Sequence, residues 1–418
     1  MKLTIPCNFE DDFFEKIDFS QVAEIYGKLS TDLIGGGRPA LTMPSISKSK
    51  VEKFVKETHK RGMEFNYLIN GTCFDNLEIS KKGYRQIREL LDWLTEMHVD
   101  SITVSLPMIL EIIKKNYPHF KTSVSVQVVI DCFEKAKYWE DLGADKINIS
   151  YVDVNKNFEE IRRIKANTTC KIQTIANLKC RNRCPHVTLH GNYNAHTSQC
   201  GHVMNNFSFD YYLFSCAEQM LRNPSNILKS AFIRPEDLYL YEEAGVDYIK
   251  LVERSMTSDA LALIVKAYSE RSYDGNMMDL IHGISKYIIY NDDTIFKMGM
   301  KYLFQPSKIN IFKVKKLMDN LSTLRKEKDF NESFDLYIDN KKLDGFLEYF
   351  AKGHCTRDCK TCSYCETYAE KAINYLVPIE DHLKNVDALK NTKDIMINGE
   401  LYMKSSYLNK ENLVVNYN

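Results

Sequence analysis

Four of the twelve cysteines in this 418-residue chain lie within eleven residues near its C-terminal end, in the spacing C-x3-C-x2-C-x2-C. Thiolates are soft ligands for zinc and for iron–sulfur clusters, and about four of them hold one cluster. The motif therefore predicts a [4Fe–4S] site, with zinc as the alternative. Its ligands would be Cys355, Cys359, Cys362 and Cys365.

A second group of cysteines lies within residues 180–216. Cys180 and Cys184 are separated by three residues and are followed by Cys200 and Cys216. Because four histidines lie among them, a zinc site of cysteine and histidine competes with an iron–sulfur cluster. Cys73 follows a predicted strand, so it would reach the same rim of a barrel and complete the set.

Charged residues at the end of another predicted strand form a third candidate site. Lys250 lies within the strand, and Glu253 and Arg254 follow it. A lysine is poorly accommodated in a dry core, so Lys250 should point into the lumen or mouth of a barrel, where it can bind a carboxylate. Arg254 can bind one in bidentate fashion, and a buried ion pair with Glu253 is the alternative. The run from Gly35 to Arg38 resembles an anion-binding loop, although a simple turn explains it equally well.

Composition limits the classes of partner. Lys plus Arg equals Asp plus Glu, 56 of each, so charge does not favour a nucleic-acid partner and does not exclude one. The apolar stretch at the start is too short for a signal peptide, and no run is long enough for a membrane helix. We expect a cytoplasmic protein with no membrane partner. In the reducing cytosol, clustered cysteines indicate metal or redox chemistry rather than disulfides.

Short apolar runs alternate with amphipathic stretches over the first 275 residues, and a helix–turn–strand unit recurs. This alternation predicts a parallel sheet with right-handed crossovers, and about seven strands favour an α/β, TIM-like (β/α) barrel over an open doubly wound sheet. The strands are predicted at Lys2–Pro6, Glu64–Ile69, Ser101–Leu106, Thr122–Ile130, Lys146–Tyr151, Lys171–Ala176 and Tyr248–Val252.

The domain organisation follows from where this alternation stops. We predict a barrel over residues 1–280, interrupted by a cysteine- and histidine-rich insertion over residues 178–233. Residues 281–418 are predicted to form a smaller C-terminal domain that contains the compact cysteine motif.

Three stretches resemble the collagenase-like peptidase family, peptidase family U32. They are Phe232–Leu238, Tyr241–Arg254 and Val265–Asn276, and the Asn177–Pro185 segment fits the cysteine region of more distant branches. Where that family has a Lys-Ile-Glu-Gly-Arg-type strand end, Glu253 here precedes Arg254 directly. The likeness covers roughly residues 1–280, and the C-terminal cysteine motif resembles one found in some branches only.

The resemblance implies a TIM-like barrel that holds a [4Fe–4S] cluster on four cysteines. It also implies an enzyme that catalyses hydroxylation independently of molecular oxygen. Prephenate is implied as oxygen donor for several members, so it is a candidate co-substrate here. Cys180, Cys184 and Cys216 match the cluster region, Cys73 matches an early-strand cysteine of one branch, and Cys200 competes with it for the fourth place. Glu253 and Arg254 match the strand-end motif.

The leading functional prediction is a cluster-dependent hydroxylase or related redox enzyme acting on a small molecule, RNA or peptide, with one or two clusters. A cysteine- or metal-dependent peptidase is the first alternative, although no H-E-x-x-H motif occurs. A metal-bearing partner subunit, in a homo- or heterodimer, is the second.

Overall fold

The computed structural model describes residues 1–207, 209–281, 300, 303–304, 306–313 and 335–402. Eight parallel strands form a closed barrel in which each strand pairs with the next and the eighth pairs with the first. The strands are β1 (Lys2–Pro6), β2 (Val22–Gly27), β3 (Glu64–Ile69), β4 (Ser101–Val104), β5 (Lys121–Val124), β6 (Lys146–Asn148), β7 (Lys171–Ile175) and β8 (Tyr248–Lys250).

Helices connect successive strands of the barrel, and further helices follow β8; the main apolar core is formed by strands and helices together. They are α1 (Phe13–Lys16), α2 (Lys48–Lys60), α3 (Lys81–Glu96), α4 (Pro107–Asn116), α5 (Phe133–Asp141), α6 (Phe158–Ala166), α7 (Val187–Ser198), α8 (Tyr211–Arg222), α9 (Ser225–Leu228), α10 (Leu238–Glu243), α11 (Ser258–Glu270), α12 (Glu348–Ala351), α13 (Tyr364–Ala372) and α14 (Ile379–Ile397).

Local sequence explains how these units begin and end. Ser80 caps α3 by accepting a hydrogen bond from a backbone N–H of the first turn, and Ile87 and Leu91 on the buried face pack into the core. Gly143 and Gly245 follow helices at φ of 98° and 94°, which a residue with a Cβ rarely adopts. These two turns therefore direct the chain from helix into strand at the positions that the repeated unit predicts.

The lumen of the barrel is polar. Lys146 on β6 donates two hydrogen bonds of 2.8 Å to the carboxylate of Glu24 on β2, across the barrel, and Ser101 donates to the same group at 3.1 Å. Gln173 reaches Thr4 at 2.7 Å in the same way. Barrel interiors are more often filled by branched apolar side chains. This lumen therefore keeps a buried charge pair below the mouth.

The C-terminal residues pack onto the barrel. Strands β9 (Leu336–Ile338) and β10 (Ile373–Tyr375) form an antiparallel pair, and Phe346 joins the main core. Arg234, which is 1% exposed, donates hydrogen bonds to Asn340 and to the carbonyl oxygen of Leu343. Arg234 therefore holds this part to the barrel. The boundary predicted at residue 280 stays a prediction, because residues 282–299 and 314–334 lie outside the described part.

The predicted TIM-like barrel is confirmed, and the doubly wound alternative is wrong because the sheet closes. The sequence prediction missed β2, and it extended the strand at Thr122–Ile130 past its end at Val124. The insertion, predicted to lack periodic structure, contains α7 and α8. No helix within the described ranges is both long enough and apolar enough to cross a bilayer.

Candidate functional site

A small cavity that is open to solvent lies at the carboxyl ends of the barrel strands. TIM-barrel enzymes place their active sites at this end. The charged residues predicted at the end of β8, Lys250, Glu253 and Arg254, all line it, together with Arg38 of the glycine-rich loop. The other lining side chains include Tyr26, Leu68, Asn70, Gln127, Tyr151 and Ile175.

Lys250 is 9% exposed, and its Nζ lies 4.0 Å from the centre of the Tyr26 ring. Burial lowers the pKa of Lys250 to about 7, the Glu24 carboxylate partly opposes that shift, and the cations of Lys146 and Arg254 add to it. A lysine that titrates near neutrality can bind an anion in one form and accept a proton in the other.

We expect Lys250→Met to stabilise the fold by about 1–3 kcal/mol, because methionine removes the cost of burying an ammonium group. The folded-state pKa is lower than the unfolded one, so the unfolded chain binds more protons between pH 7 and 10, and the native lysine costs most at low pH. The gain should therefore be larger at pH 6 than at pH 9 in urea denaturation. A loss of stability at pH 6 would contradict this prediction.

Glu253 is 2% exposed and accepts a hydrogen bond from Nε of Arg38. Arg254 is 5% exposed, and burial lowers its pKa, with Glu253 opposing that shift. Among the described residues, the guanidinium of Arg254 has no hydrogen bond or ion pair. The predicted alternative, an ion pair between Glu253 and Arg254, is therefore replaced by one between Glu253 and Arg38. This leaves the Arg254 guanidinium available to an anion in the cavity.

Three predicted cysteines meet beside the cavity. Cys180 and Cys184 lie in the loop after β7, and Cys216 lies on α8. Burial, together with the thiols of Cys216 and Cys184, raises the pKa of Cys180 to about 12. Because three neighbouring thiolates repel one another, a bound cation is needed to keep all three deprotonated. The donor set therefore fits a metal centre.

Neighbouring groups connect this thiol cluster (Cys180, Cys184 and Cys216) to the cavity. The Tyr151 hydroxyl, on the cavity wall, lies close enough to Cys180 to oppose the rise in the pKa of its thiol. Lys179 is 5% exposed, and burial lowers its pKa to about 8, with the thiolates of Cys216 and Cys180 opposing that shift. Hydrogen bonds and charges of this kind tune the potential of a bound cluster.

The two candidates for a fourth ligand lie differently. Cys73 lies with Asp75 and His196, and one donor atom from each is within 4.8 Å of the other two. Cys200 is exposed, and its backbone N–H donates a 2.6 Å hydrogen bond to the carbonyl oxygen of Asp32. Which of the two, if either, completes the thiol cluster stays a prediction.

The C-terminal motif converges as its spacing predicts. Its four cysteines, Cys355, Cys359, Cys362 and Cys365, line one small pocket. The rings of Tyr349 and Tyr364, also on its wall, stack at 4.0 Å. Burial raises the pKa of Cys365 to about 11, and Lys156 and Lys229 oppose that shift. The pocket fits either a cluster or a zinc ion, so the choice between them stays open.

Sequence reasoning missed four polar or aromatic residues of the mouth. Tyr26 lies near the end of the strand that was not predicted, and Gln127 lies in a turn that was predicted as strand. Asn70 directly follows a correctly predicted strand, and its Oδ1 is buried without a hydrogen-bond partner in the described part of the chain. Tyr151 closes another predicted strand. For Asn70 and Tyr151, position at a strand end was a usable signal.

Comparison with known proteins identifies the family. A model of peptidase family U32 matches residues 40–277. The uncharacterized protease MJ1657 of Methanocaldococcus jannaschii is 26% identical over 343 residues, which cover 82% of this chain and 86% of that protein. The solved structure of the U32 peptidase Mk0906 is 21% identical in sequence, and the match covers 60% of this chain and 93% of the Mk0906 chain with a TM-score of 0.47. Because the family model spans more than half of its residues, this chain belongs to peptidase family U32.

Proposed function

We propose that this chain is an iron–sulfur enzyme that carries out a redox modification, such as oxygen-independent hydroxylation, of an anionic substrate at the mouth of the barrel. The observation that carries the proposal is the clustering of three cysteines beside a cavity lined by Lys250 and Arg254. Cys180 and Cys184 pack against residues of the cavity wall, and Cys216 is close enough to raise the pKa of both thiols. A bound cluster would supply electron transfer to or from the substrate.

The spacing of the thiol cluster favours iron–sulfur over zinc. Ligands of one ion crowd around a single centre, whereas each thiolate of a [4Fe–4S] cluster binds a different iron. Within the described residues, the only set of cysteine, histidine and acidic donors within 4.8 Å of one another is Cys73, Asp75 and His196. Cys180, Cys184 and Cys216 do not form such a close set, which is compatible with thiolates that bind different irons of one cluster.

The charged residues of the cavity would bind and orient the substrate. Arg254 offers a guanidinium without a partner in the described structure, which suits a carboxylate. Lys250 adds a second positive charge or, when neutral, a proton acceptor. Glu253 holds Arg38 on the cavity wall. A carboxylate donor of the prephenate class fits these cations, and we propose it as co-substrate.

Anaerobic purification with iron, sulfide and zinc analysis tests the proposal. We expect a brown protein with about four iron and four sulfide per cluster. We expect this result because cysteines other than Cys73 are gathered at two places, in the thiol cluster and in the C-terminal motif. A colourless protein that contains zinc and no sulfide would contradict the redox assignment.

A peptidase is the second candidate, favoured by the position of the Cys73 sulfur within 4.8 Å of a ring nitrogen of His196 and by the name of the archaeal relative. In that case Cys73 would be the nucleophile and His196 its base. Hydrolysis of gelatin that is abolished by iodoacetamide, in protein without iron, would favour this candidate. Co-purification of an iron-bearing partner would instead favour the role of a partner subunit.

A further inference from the structure

The loop after β3 and the inserted helix α7 bring three different metal ligands together. The Cys73 sulfur lies 3.9 Å from Asp75 Oδ1, and His196 Nε2 lies 3.4 Å from the same oxygen. All three donors are within 4.8 Å of one another. Ligands at tetrahedral positions around zinc are separated by about 3.4–3.8 Å, so small side-chain movements would close the set.

His196 provides the observation that points to a ligand. Its Nε2 is buried and has no hydrogen-bond partner in the described structure, although a carboxylate lies beside it. A buried imidazole nitrogen normally has a partner, because leaving it without one costs free energy. Coordination of a metal ion would satisfy this nitrogen.

His202 orients the site without being a ligand. Its ring stacks on that of His196 at 4.2 Å, with 12° between the planes. The backbone N–H of Met204 donates to Nδ1 of His202 at 3.0 Å, so in the neutral ring the proton lies on Nε2. That Nε2 faces Asp75 Oδ2 at 3.7 Å. This distance is too long for a hydrogen bond, so His202 lies beside the Asp75 carboxylate and supports the His196 ring by stacking, as outer groups of metal sites do.

The two segments are held together independently of a metal. The Thr72 hydroxyl donates to Asn192 Oδ1 at 2.6 Å. Gly191 permits close packing, because a Cβ there would lie 2.6 Å from Gln127 Oε1, on the cavity wall. The donors are thus preorganised on the rim of the barrel. The side chain of Asp75 is 43% exposed, so water can reach the site from this side.

We propose that Cys73, Asp75 and His196 bind one zinc ion on the rim of the barrel, in a site separate from the thiol cluster. Thiolate, imidazole and carboxylate together suit zinc, and three protein ligands plus water is the arrangement of zinc sites with an open position. This inference does not depend on the proposed function. It assigns Cys73 to zinc rather than to the iron–sulfur cluster.

Zinc and iron analysis of the full chain, purified anaerobically and loaded with Zn²⁺, tests the site. Cys73→Ser and His196→Ala should each lose about one zinc per chain and keep the iron content of the wild type. Asp75→Asn should weaken zinc binding at least about 10–100-fold, measured by competition with a chromophoric chelator. Co²⁺ in place of zinc should give a thiolate charge-transfer band that Cys73→Ser removes.

Two matched variants control for unrelated damage. His190→Ala alters the same helix at a histidine that pairs with Asp210 at 2.9 Å, and Cys200→Ser alters an exposed cysteine of the insertion. Both should keep the zinc. Loss of iron in Cys73→Ser with unchanged zinc would overturn the inference and make Cys73 a cluster ligand. Unchanged zinc in all three ligand variants would also overturn it.

Discussion

Cys180→Ala is expected to remove about four iron and four sulfide per chain, because each thiolate of a [4Fe–4S] cluster binds a different iron and the proposed cluster would lose one of these ligands. Cys180 packs against residues of the cavity wall, and Tyr151 of that wall influences the pKa of its thiol. Iron and sulfide analysis with the absorption spectrum of the anaerobic protein measures the loss. If the C-terminal motif holds a second cluster, Cys359→Ala should remove an equal and independent amount.

Cys170→Ala is the matched control. Cys170 is 4% exposed, and its thiol donates a 3.0 Å hydrogen bond to the carbonyl oxygen of Ala144, away from both cysteine groups. We expect some loss of stability and unchanged iron in this variant. Full iron content in both Cys180→Ala and Cys359→Ala would remove the cluster from the proposed function.

Local patterns were sufficient for most of the barrel, because a parallel strand buried on both faces reads as an apolar run and an outer helix as an amphipathic one. β1 and β3 were predicted with the bounds that the structure gives. β2 was missed because Glu24 interrupts its apolar run. Glu24 can lie in this strand because its carboxylate pairs with Lys146, 122 residues further along the chain. No local window contains that partner.

The candidate site also contains residues that local patterns place and residues whose position depends on distant segments. Strand ends and cysteine spacing were enough to place Lys250, Arg254 and the C-terminal motif. The placement of Cys73 depends on how α7 packs against the loop after β3, and α7 has almost no apolar periodicity. Likewise, the pairing of Glu253 with Arg38 joins residues 215 apart. Contacts between distant segments of this kind are fixed by tertiary packing rather than by sequence pattern.

The largest effect on stability is expected from Glu24→Gln, at about 3–5 kcal/mol. The Glu24 carboxylate is 4% exposed and accepts two hydrogen bonds from Lys146 in the lumen. Glutamine removes the charge and leaves the Lys146 ammonium, with its side chain 12% exposed, without a counter-charge. Lys250 loses its opposing carboxylate as well. Urea denaturation at pH 7 measures the loss.

The dependence of this loss on pH separates lost charge from lost packing. Burial alone would raise the pKa of Glu24, but Lys146 holds it below its ordinary value, so the carboxylate stabilises the fold above about pH 4.3. That contribution disappears as the pH falls through the folded-state pKa, so the difference between wild type and Glu24→Gln should shrink in acid.

Glu64→Gln is the matched control: Glu64 pairs in register with Glu24 on the next strand, but its ion pair with Lys121 is exposed. Its loss should be within about 0.5 kcal/mol, since exposed pairs contribute little. Equal losses in the two variants, or a loss for Glu24→Gln that stays constant down to pH 3, would mean that the lumen pair does not stabilise the barrel through its charge.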